Sequence, residues 1–101
     1  MESNAVVVIV EHFLNRDGRE YFDDWIEEVR NVLDSYEGFR SLQRIFDPQQ
    51  NDRTLLYLTF EELDQLREWS SSDDHEAMLD LIIPYQQQKQ ESQIYTTEND
   101  E

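Results

Sequence analysis

The sequence Ala5-Val-Val-Val-Ile-Val10 decides the fold, because it is rich in β-branched residues and too short for an independent helix. It predicts a β-strand. Alternate residues of a strand point to opposite faces, so Val6 and Val8 share one face while Val7 and Ile9 share the other. Both faces are apolar, which is typical of a central strand in a sheet that is covered on both sides.

The next segment predicts a long amphipathic helix. Apolar residues recur at spacings of three and four from Phe22 to Tyr36, with acidic residues between them. Asp17 followed by Glu20 resembles a capping box that opens the helix. Gly38 is well placed to end it, because a helix C-terminus often needs a left-handed residue.

A hairpin and a second helical region follow. Residues 39–47 and 53–60 predict two strands joined by a polar turn at 48–52. Thr59 with Glu62 is a second capping-box pattern, which predicts a short helix.

The serines at positions 70–72 interrupt this helix, and Ser71 or Ser72 can cap a further one. Residues 86–92 are polar and have no clear pattern. Residues 93–97 predict a last strand.

The predicted order is β-α-β-β-α-β, with the second helix broken in two. This order indicates a ferredoxin-like α+β fold, a four-stranded antiparallel sheet with its helices on one face. One domain is expected over residues 1–97, followed by an acidic tail at 98–101. The other sheet face would be apolar and uncovered, so we expect a homodimer that joins the two open faces.

The charge of the chain restricts its partners. The 101 residues include 24 acidic and 8 basic side chains, a formal net charge of -16. Such a chain is not expected to bind nucleic acid or an anionic membrane. It has no cysteine, which excludes disulfides and thiolate chemistry. No membrane span or export signal is visible, so a cytoplasmic protein is expected.

Several short motifs are spaced along residues 5–85. They are Val8-Ile-Val-Glu-His12, Asp17-Gly18, Phe22-Asp-Asp-Trp25, Glu37-Gly38-Phe39, Phe60, Leu63 and Trp69-Ser-Ser-Ser72. In this order and spacing they resemble the antibiotic biosynthesis monooxygenase family. The resemblance implies a dimeric α/β barrel, in agreement with the fold predicted from the pattern.

The resemblance also implies a chemistry. Members of that family include oxygenases that oxidise aromatic polyketides and quinols without metal or flavin, and this predicts a small aromatic substrate and no cofactor. Other members degrade haem, but the positions that match their Asn and their axial His are here His12 and Leu79, so haem degradation is not expected. The alternatives are a non-catalytic small-molecule-binding or stress-related dimer and a purely structural interaction module.

Two residues are the candidate catalytic groups. His12 ends the first strand and can act as a base or hydrogen-bond donor, since its pKa is near neutrality. It can equally be a strand-end histidine bonded to backbone or water. Trp69 stands where the family places an aromatic against the substrate, although a Trp that closes a short helix is often core.

Three further residues are candidate substrate-binding groups. Arg40 and Arg44 share one face of the second strand and can hold a phenolate or carboxylate, or can pair with carboxylates across the dimer. Tyr57 on the next strand is a candidate lining residue with the same two interpretations. His75 is interpreted as a surface residue, and no cluster of side chains at ligand spacing predicts a metal site.

Overall fold

The computed structural model describes residues 5–97, which form four strands and three helices. The predicted order with a broken second helix is confirmed. Residues 98–101, predicted as an acidic tail, lie outside the described residues, and the 1–97 domain boundary stays a prediction. In chain order the elements are β1 (Val6–Leu14), α1 (Arg16–Leu33), β2 (Phe39–Asp47), β3 (Gln50–Phe60), α2 (Leu63–Ser70), α3 (Asp73–Ile82), a short 3₁₀ turn (Ile83–Tyr85) and β4 (Gln86–Thr96).

The strands form one antiparallel sheet in the order β2-β3-β1-β4. β1 has a hydrogen-bonded neighbour on each side, with Val8 opposite Leu58 of β3 and Ile94 of β4. The apolar sequence of β1 therefore lies in the middle of the sheet, as predicted. This is the ferredoxin-like arrangement.

The helices cover one face of this sheet. Val6 and Val8 of β1 are buried in the same core as Trp25 of α1. Their neighbours Val7 and Ile9 point to the opposite face and stay half-buried. Within residues 5–97 that second face is left open.

α1 begins earlier than predicted. Asn15 caps it, and its side-chain oxygen accepts a hydrogen bond from the Gly18 N–H at 2.8 Å. Asp17, the predicted cap, lies inside the first turn, where a carboxylate still complements the positive end of the helix. An Asn before the helix is as good a cap as Asp, and the structure uses it.

The prediction that Gly38 ends α1 is wrong. Gly38 lies in the turn that leads into β2. The helix ends at Leu33, and the Asp34 N–H closes its last turn by donating to the Arg30 carbonyl at 3.0 Å. Gly38 has a φ of +85°, a left-handed conformation that favours glycine. A side chain at this position would collide with Gln65 of α2.

Of the two helix caps predicted in the second helical region, the structure confirms one and contradicts the other. Thr59, predicted as a cap, is still part of β3. Glu62 begins α2 instead, and its N–H donates to the Gln65 side chain at 3.0 Å. Ser72, one of the two predicted caps, begins α3 and accepts a hydrogen bond from the His75 N–H at 3.0 Å.

The hairpin turn is tighter and the last strand is longer than predicted. Asp47 pairs with Gln50 across the turn, and its carboxylate accepts a bond from the Gln49 N–H at 2.8 Å. Such a side-chain bond stabilises a short turn. β4 spans Gln86–Thr96 and not only residues 93–97. Its polar residues suit an edge strand, which pairs with β1 alone.

Among the helices of residues 5–97, none is both long enough and apolar enough to cross a membrane. The longest, α1, buries one stripe that includes Phe22 and Val29. Its outer side is acidic and exposed, with Asp23, Glu27 and Glu28 facing solvent.

Gly38→Ala is expected to lower the free energy of unfolding by about 1–3 kcal/mol, because alanine is strained at this φ and collides with Gln65. Urea unfolding measures the loss. The same substitution in a Gln65→Ala background should cost less, since only the backbone strain remains. An equal cost in both backgrounds would contradict the collision with Gln65.

Candidate functional site

A cavity of about 450 Å³ lies between the helix-covered face of the sheet and the three helices. Its size is typical of small-molecule pockets. Trp25 Nε1 donates to the Met78 carbonyl at 2.7 Å, a bond that holds α1 against α3 beside the cavity. The lining is mostly apolar, and its apolar members are Val8, Val10, Trp25, Val29, Leu42, Leu56, Leu58, Leu63, Leu66, Trp69, Met78, Leu79 and Ile94.

His12 is a buried member of the cavity wall. It shares the helix-facing side of β1 with Val8 and Val10, so the alternation of the strand places it in the lining. Only 3% of the residue is exposed, and its ring contacts Phe22 and Trp25 at centroid distances of 5.3 and 5.2 Å. Among the described residues its Nδ1 has no hydrogen-bond partner.

Burial controls the charge of His12. It lowers the pKa of the imidazole from 6.5 to about 4, because the charged form loses its hydration inside the protein. The ring is therefore neutral at pH 7. A buried nitrogen without a partner costs about 1–3 kcal/mol, and such groups call for an explanation such as a catalytic role or a bound water.

Trp69 forms part of the cavity wall on α2. It is 3% exposed and lies between two rings, Tyr36 at 5.1 Å and His75 at 5.2 Å, both edge-on to it. The Tyr36 hydroxyl donates to the Asp74 carboxylate at 3.0 Å. These contacts fix the orientation of the indole. The two predicted catalytic residues, His12 and Trp69, line the same cavity.

The three predicted substrate-binding residues do not line this cavity. Arg44 is on the helix side of β2, but its guanidinium pairs with Asp23 of α1 at 3.1 Å and lies over Phe22. Arg40 is exposed, next to an irregularity in the β2 ladder. Tyr57 points to the open face of the sheet, since Leu56 and Leu58 on either side of it face the helices.

Other polar lining residues were missed by sequence reasoning. His75, interpreted as surface, is half-buried against Trp69, and burial lowers its pKa. Arg67 and Ser70 lie on the same side of α2 as Leu63, a spacing visible in the sequence. Two residues of β4 complete the polar lining, and they lie in the part of the strand before residue 93, which has no recognisable pattern in the sequence. They are Gln90 and Ser92.

A second, polar recess of about 640 Å³ meets the other side of His12 at the hairpin end of the sheet. Glu11 and Arg53 form a two-point ion pair there, with contacts of 2.8 and 2.9 Å, and Asp47 bonds Arg53 at 2.8 Å. The hydrogen bond from Arg53 lowers the pKa of Glu11. His12 thus separates an apolar cavity from a polar one.

Within residues 5–97, no group of three or more His, Asp or Glu side chains is arranged to hold a metal ion. The polar groups of the apolar cavity come from four separate elements and are spread around its wall. The cavity thus combines a mostly apolar wall with a few dispersed polar groups.

Comparisons with solved structures show similar folds at low identity. A conserved protein from Methanosarcina mazei is 13% identical, with a TM-score of 0.81, and 94% of each chain is covered. A dimeric ferredoxin-like protein of unknown function from Bacteroides fragilis is 16% identical, with a TM-score of 0.73 and coverage of 92% of this chain and 96% of that one. A variant of SnoaB from Streptomyces nogalater, described as a cofactor-independent oxygenase, is 9% identical, with a TM-score of 0.78 and 97% of each chain covered.

Sequence comparison gives the family. No curated protein sequence matches the chain significantly. The profile of the family described as antibiotic biosynthesis monooxygenase matches residues 5–81, which is more than half of the 101 residues and includes β1, His12 and Trp69. The chain therefore belongs to the antibiotic biosynthesis monooxygenase family.

Proposed function

We propose that this protein is a monooxygenase that oxidises a small aromatic, quinol-like or polyketide-like substrate without a cofactor, in the cavity lined by His12 and Trp69. The observation that carries the proposal is the neutral, buried His12 ring in the wall of a mostly apolar cavity, where its Nδ1 has no hydrogen-bond partner among residues 5–97. Family membership supports the same reaction class.

The cavity favours a planar, apolar ligand. Burying ring surface against the aliphatic side chains of the sheet releases water from both. The indole of Trp69 adds an aromatic surface whose orientation is fixed by Tyr36 and His75. Trp69 therefore binds the substrate ring and keeps it in one orientation.

His12 accepts a proton from the substrate in this proposal. The ring is uncharged at pH 7 and so can take up a proton without first losing one. A substrate anion beside the new imidazolium favours its charged form, which opposes the effect of burial on the pKa. His12 thus becomes a stronger base as the substrate ionises.

The substrate anion then supplies the electrons for oxygen. For a CH₂ carbon activated by flanking aromatic rings, one atom of O₂ becomes a carbonyl oxygen, and the other leaves as water with the two hydrogens of that carbon. The electrons balance without an external reductant. The protein binds the ring, takes the proton and keeps bulk water away from the anion.

The alternative is a small-molecule-binding protein with the same cavity and no turnover. One observation favours it: a pKa of about 4 makes His12 a weak base in the empty cavity. A binding protein would use the unpartnered nitrogen of His12 as a hydrogen-bonding group only.

The same proposal includes a homodimer formed by the open faces of two sheets. Val7, Ile9 and Tyr57 lie on that face and are only half-buried. A second copy would bury them, and a matching face on an identical chain gives a two-fold interface. The relative from Bacteroides fragilis is described as dimeric, which supports the proposal.

His12→Gln is expected to lower kcat for oxygen uptake by about a hundredfold or more, because a general base typically contributes this much. Trp69→Phe should mainly raise KM, by about three- to tenfold, through weaker aromatic contact. An oxygen electrode with a panel of quinols and anthrone-like aromatics measures both.

Asp80→Asn is the control, since Asp80 is an exposed residue of α3 outside the cavity lining. It should behave as the wild type. Ligand binding without oxygen uptake on any substrate would reject the oxygenase and favour the binding protein.

The stability of the protein should depend on His12 between pH 6.5 and 4. In this range the unfolded chain binds a proton that the folded chain does not, because the folded pKa is about 4 and the unfolded pKa 6.5. Stability is therefore lost as the pH falls from 6.5 to 4, by up to about 3 kcal/mol from this group.

The measurement is urea unfolding at a series of pH values for the wild type, His12→Gln and His75→Gln. The wild type should lose more stability than His12→Gln on acidification. His75→Gln should differ from the wild type in the same direction but by less, because burial lowers the pKa of His75 as well, though not as far. Parallel curves for the wild type and His12→Gln would contradict the burial of a neutral His12.

Ile9→Arg is expected to convert the homodimer into monomers, because it places a charge in the centre of the proposed interface. Leu81→Arg is the matched control, since Leu81 is a partly exposed residue of α3 away from the sheet. Light scattering measures the mass of each. A dimer that persists in Ile9→Arg and dissociates in Leu81→Arg would place the interface on the helices.

A further inference from the structure

The pairing of β4 with β1 is irregular beside His12. Positions 11 and 13 of β1 lie opposite positions 91 and 88 of β4. Between these two pairs β1 has one residue, His12, whereas β4 has two, Lys89 and Gln90. Two residues opposite one form a β-bulge, which changes the direction of a side chain and is common next to active sites. The bulge therefore lies directly across the ladder from the proposed base.

Gln90 is the bulge residue that lines the cavity. It is half-buried and belongs to the same cavity wall as His12, whereas Lys89 is exposed and outside that lining. Side chains at opposite positions on one face of an antiparallel pair have Cβ atoms about 4.5–5.5 Å apart. The ladder thus places a polar amide next to the imidazole on the cavity side of the sheet.

Gln86 holds the Gln90 side chain in one orientation. Its Nε2 donates a hydrogen bond to the Gln90 Oε1 at 2.7 Å. Residues four apart in a regular strand are separated by about 13 Å, and the extra residues of β4 in this ladder bring the two side chains closer together. Both glutamines are half-buried. Because the oxygen of the Gln90 amide is occupied, its NH₂ group is the part that can donate to a ligand.

An oriented amide donor beside a base has a use in the proposed reaction. When His12 takes a proton from an activated carbon, the electron pair of the broken C–H bond spreads into the conjugated system of the substrate. In a substrate with a conjugated carbonyl, negative charge then develops on the carbonyl oxygen. A hydrogen-bond donor fixed at such an oxygen stabilises the transition state, and it does so more strongly where water is excluded.

We propose that the Gln90 NH₂ group donates a hydrogen bond to the substrate carbonyl oxygen on which charge develops as His12 takes up the proton, and that Gln86 is the positioning residue for this amide. The inference rests on the proposed function and assigns the group that stabilises the substrate anion. The C–H bond breaks, its proton goes to the imidazole, and its electron pair moves through the conjugated ring to the oxygen, which becomes an enolate. This step needs no oxidant or reductant.

The test measures deprotonation without oxygen, as the exchange of the CH₂ hydrogens of anthrone for deuterium in D₂O. NMR compares the full-length wild type with Gln90→Glu, Gln86→Glu and Gln87→Glu, each of which replaces an amide with a carboxylate of the same shape. Gln87 is the matched control for the added charge, because it is an exposed glutamine of β4 outside the lining of the apolar cavity.

Gln90→Glu removes the donor but still accepts a bond from Gln86, so kcat for exchange should fall by about a hundredfold. KM should change little, because the lost bond is strongest in the transition state. Gln86→Glu accepts a bond from the Gln90 NH₂ and turns this donor away from the substrate, so kcat should fall by about tenfold or more. Gln87→Glu should match the wild type.

Gln90→Leu removes the donor without adding a charge and should lose exchange to a similar extent as Gln90→Glu. Equal losses in the three carboxylate variants would overturn the inference, since the added charge would then explain them. An unchanged kcat in Gln90→Leu would overturn it as well. A purely structural role for the two glutamines would lower the stability of the protein and leave kcat of the folded variants unchanged.

Oxygen uptake separates this inference from the proposed function. Exchange that depends on Gln90, without oxygen uptake on any substrate, would support the role of Gln90 and reject the oxygenase. Oxygen uptake that requires His12 but is unchanged in Gln90→Glu and Gln86→Glu would overturn the role of the two glutamines alone. A wild type that shows neither exchange nor uptake would overturn both.

Discussion

The alternation of side chains along β1 determines most of what this molecule can do. The strand is hydrogen-bonded on both edges, so its register is fixed by β3 and β4 together. A shift of one residue would exchange its two faces. Because the pairing with β3 is regular as far as His12, Val8, Val10 and His12 face the helices, and a single polar ring ends a row of aliphatic side chains. The cavity and the open sheet face are two results of this one constraint.

The sequence alone predicted the fold well, because its main signals are strong and local. The β-branched run of β1 and the three-to-four spacing of α1 led to the correct element order and sheet face. The caps were less predictable. Asn15, Asp17 and Thr59 are all favoured N-cap residue types, whereas Glu62, which precedes α2, is not, and only the path of the chain selects the cap. The predicted β4 is shorter than the observed strand, because an edge strand with exposed side chains does not need an apolar pattern.

The lining residues were predictable only where they follow the alternation of a strand or the three-to-four spacing of a helix. His12 and Trp69 both line the cavity, as expected from their places on β1 and α2. Arg44 could not be placed, because its partner Asp23 comes from α1 and the packing of α1 on β2 is a tertiary contact. Tyr57 depends on the parity of β3, which nothing within that strand decides. The sequence predicts an exposed His75, because the acidic residues around it give no sign of its contact with Trp69.

The position of β4 at the sheet edge has a consequence for evolution. Gln90, Ser92 and Ile94 line the cavity, yet Ser92 and Ile94 are exposed and contribute little to the core. Substitutions at exposed positions usually change stability by less than about 0.5 kcal/mol. The chemical character of this side of the cavity can thus change while the packing of the buried scaffold stays the same. Proteins with this architecture can therefore acquire new ligand preferences through substitutions in one strand, and each successive variant remains folded.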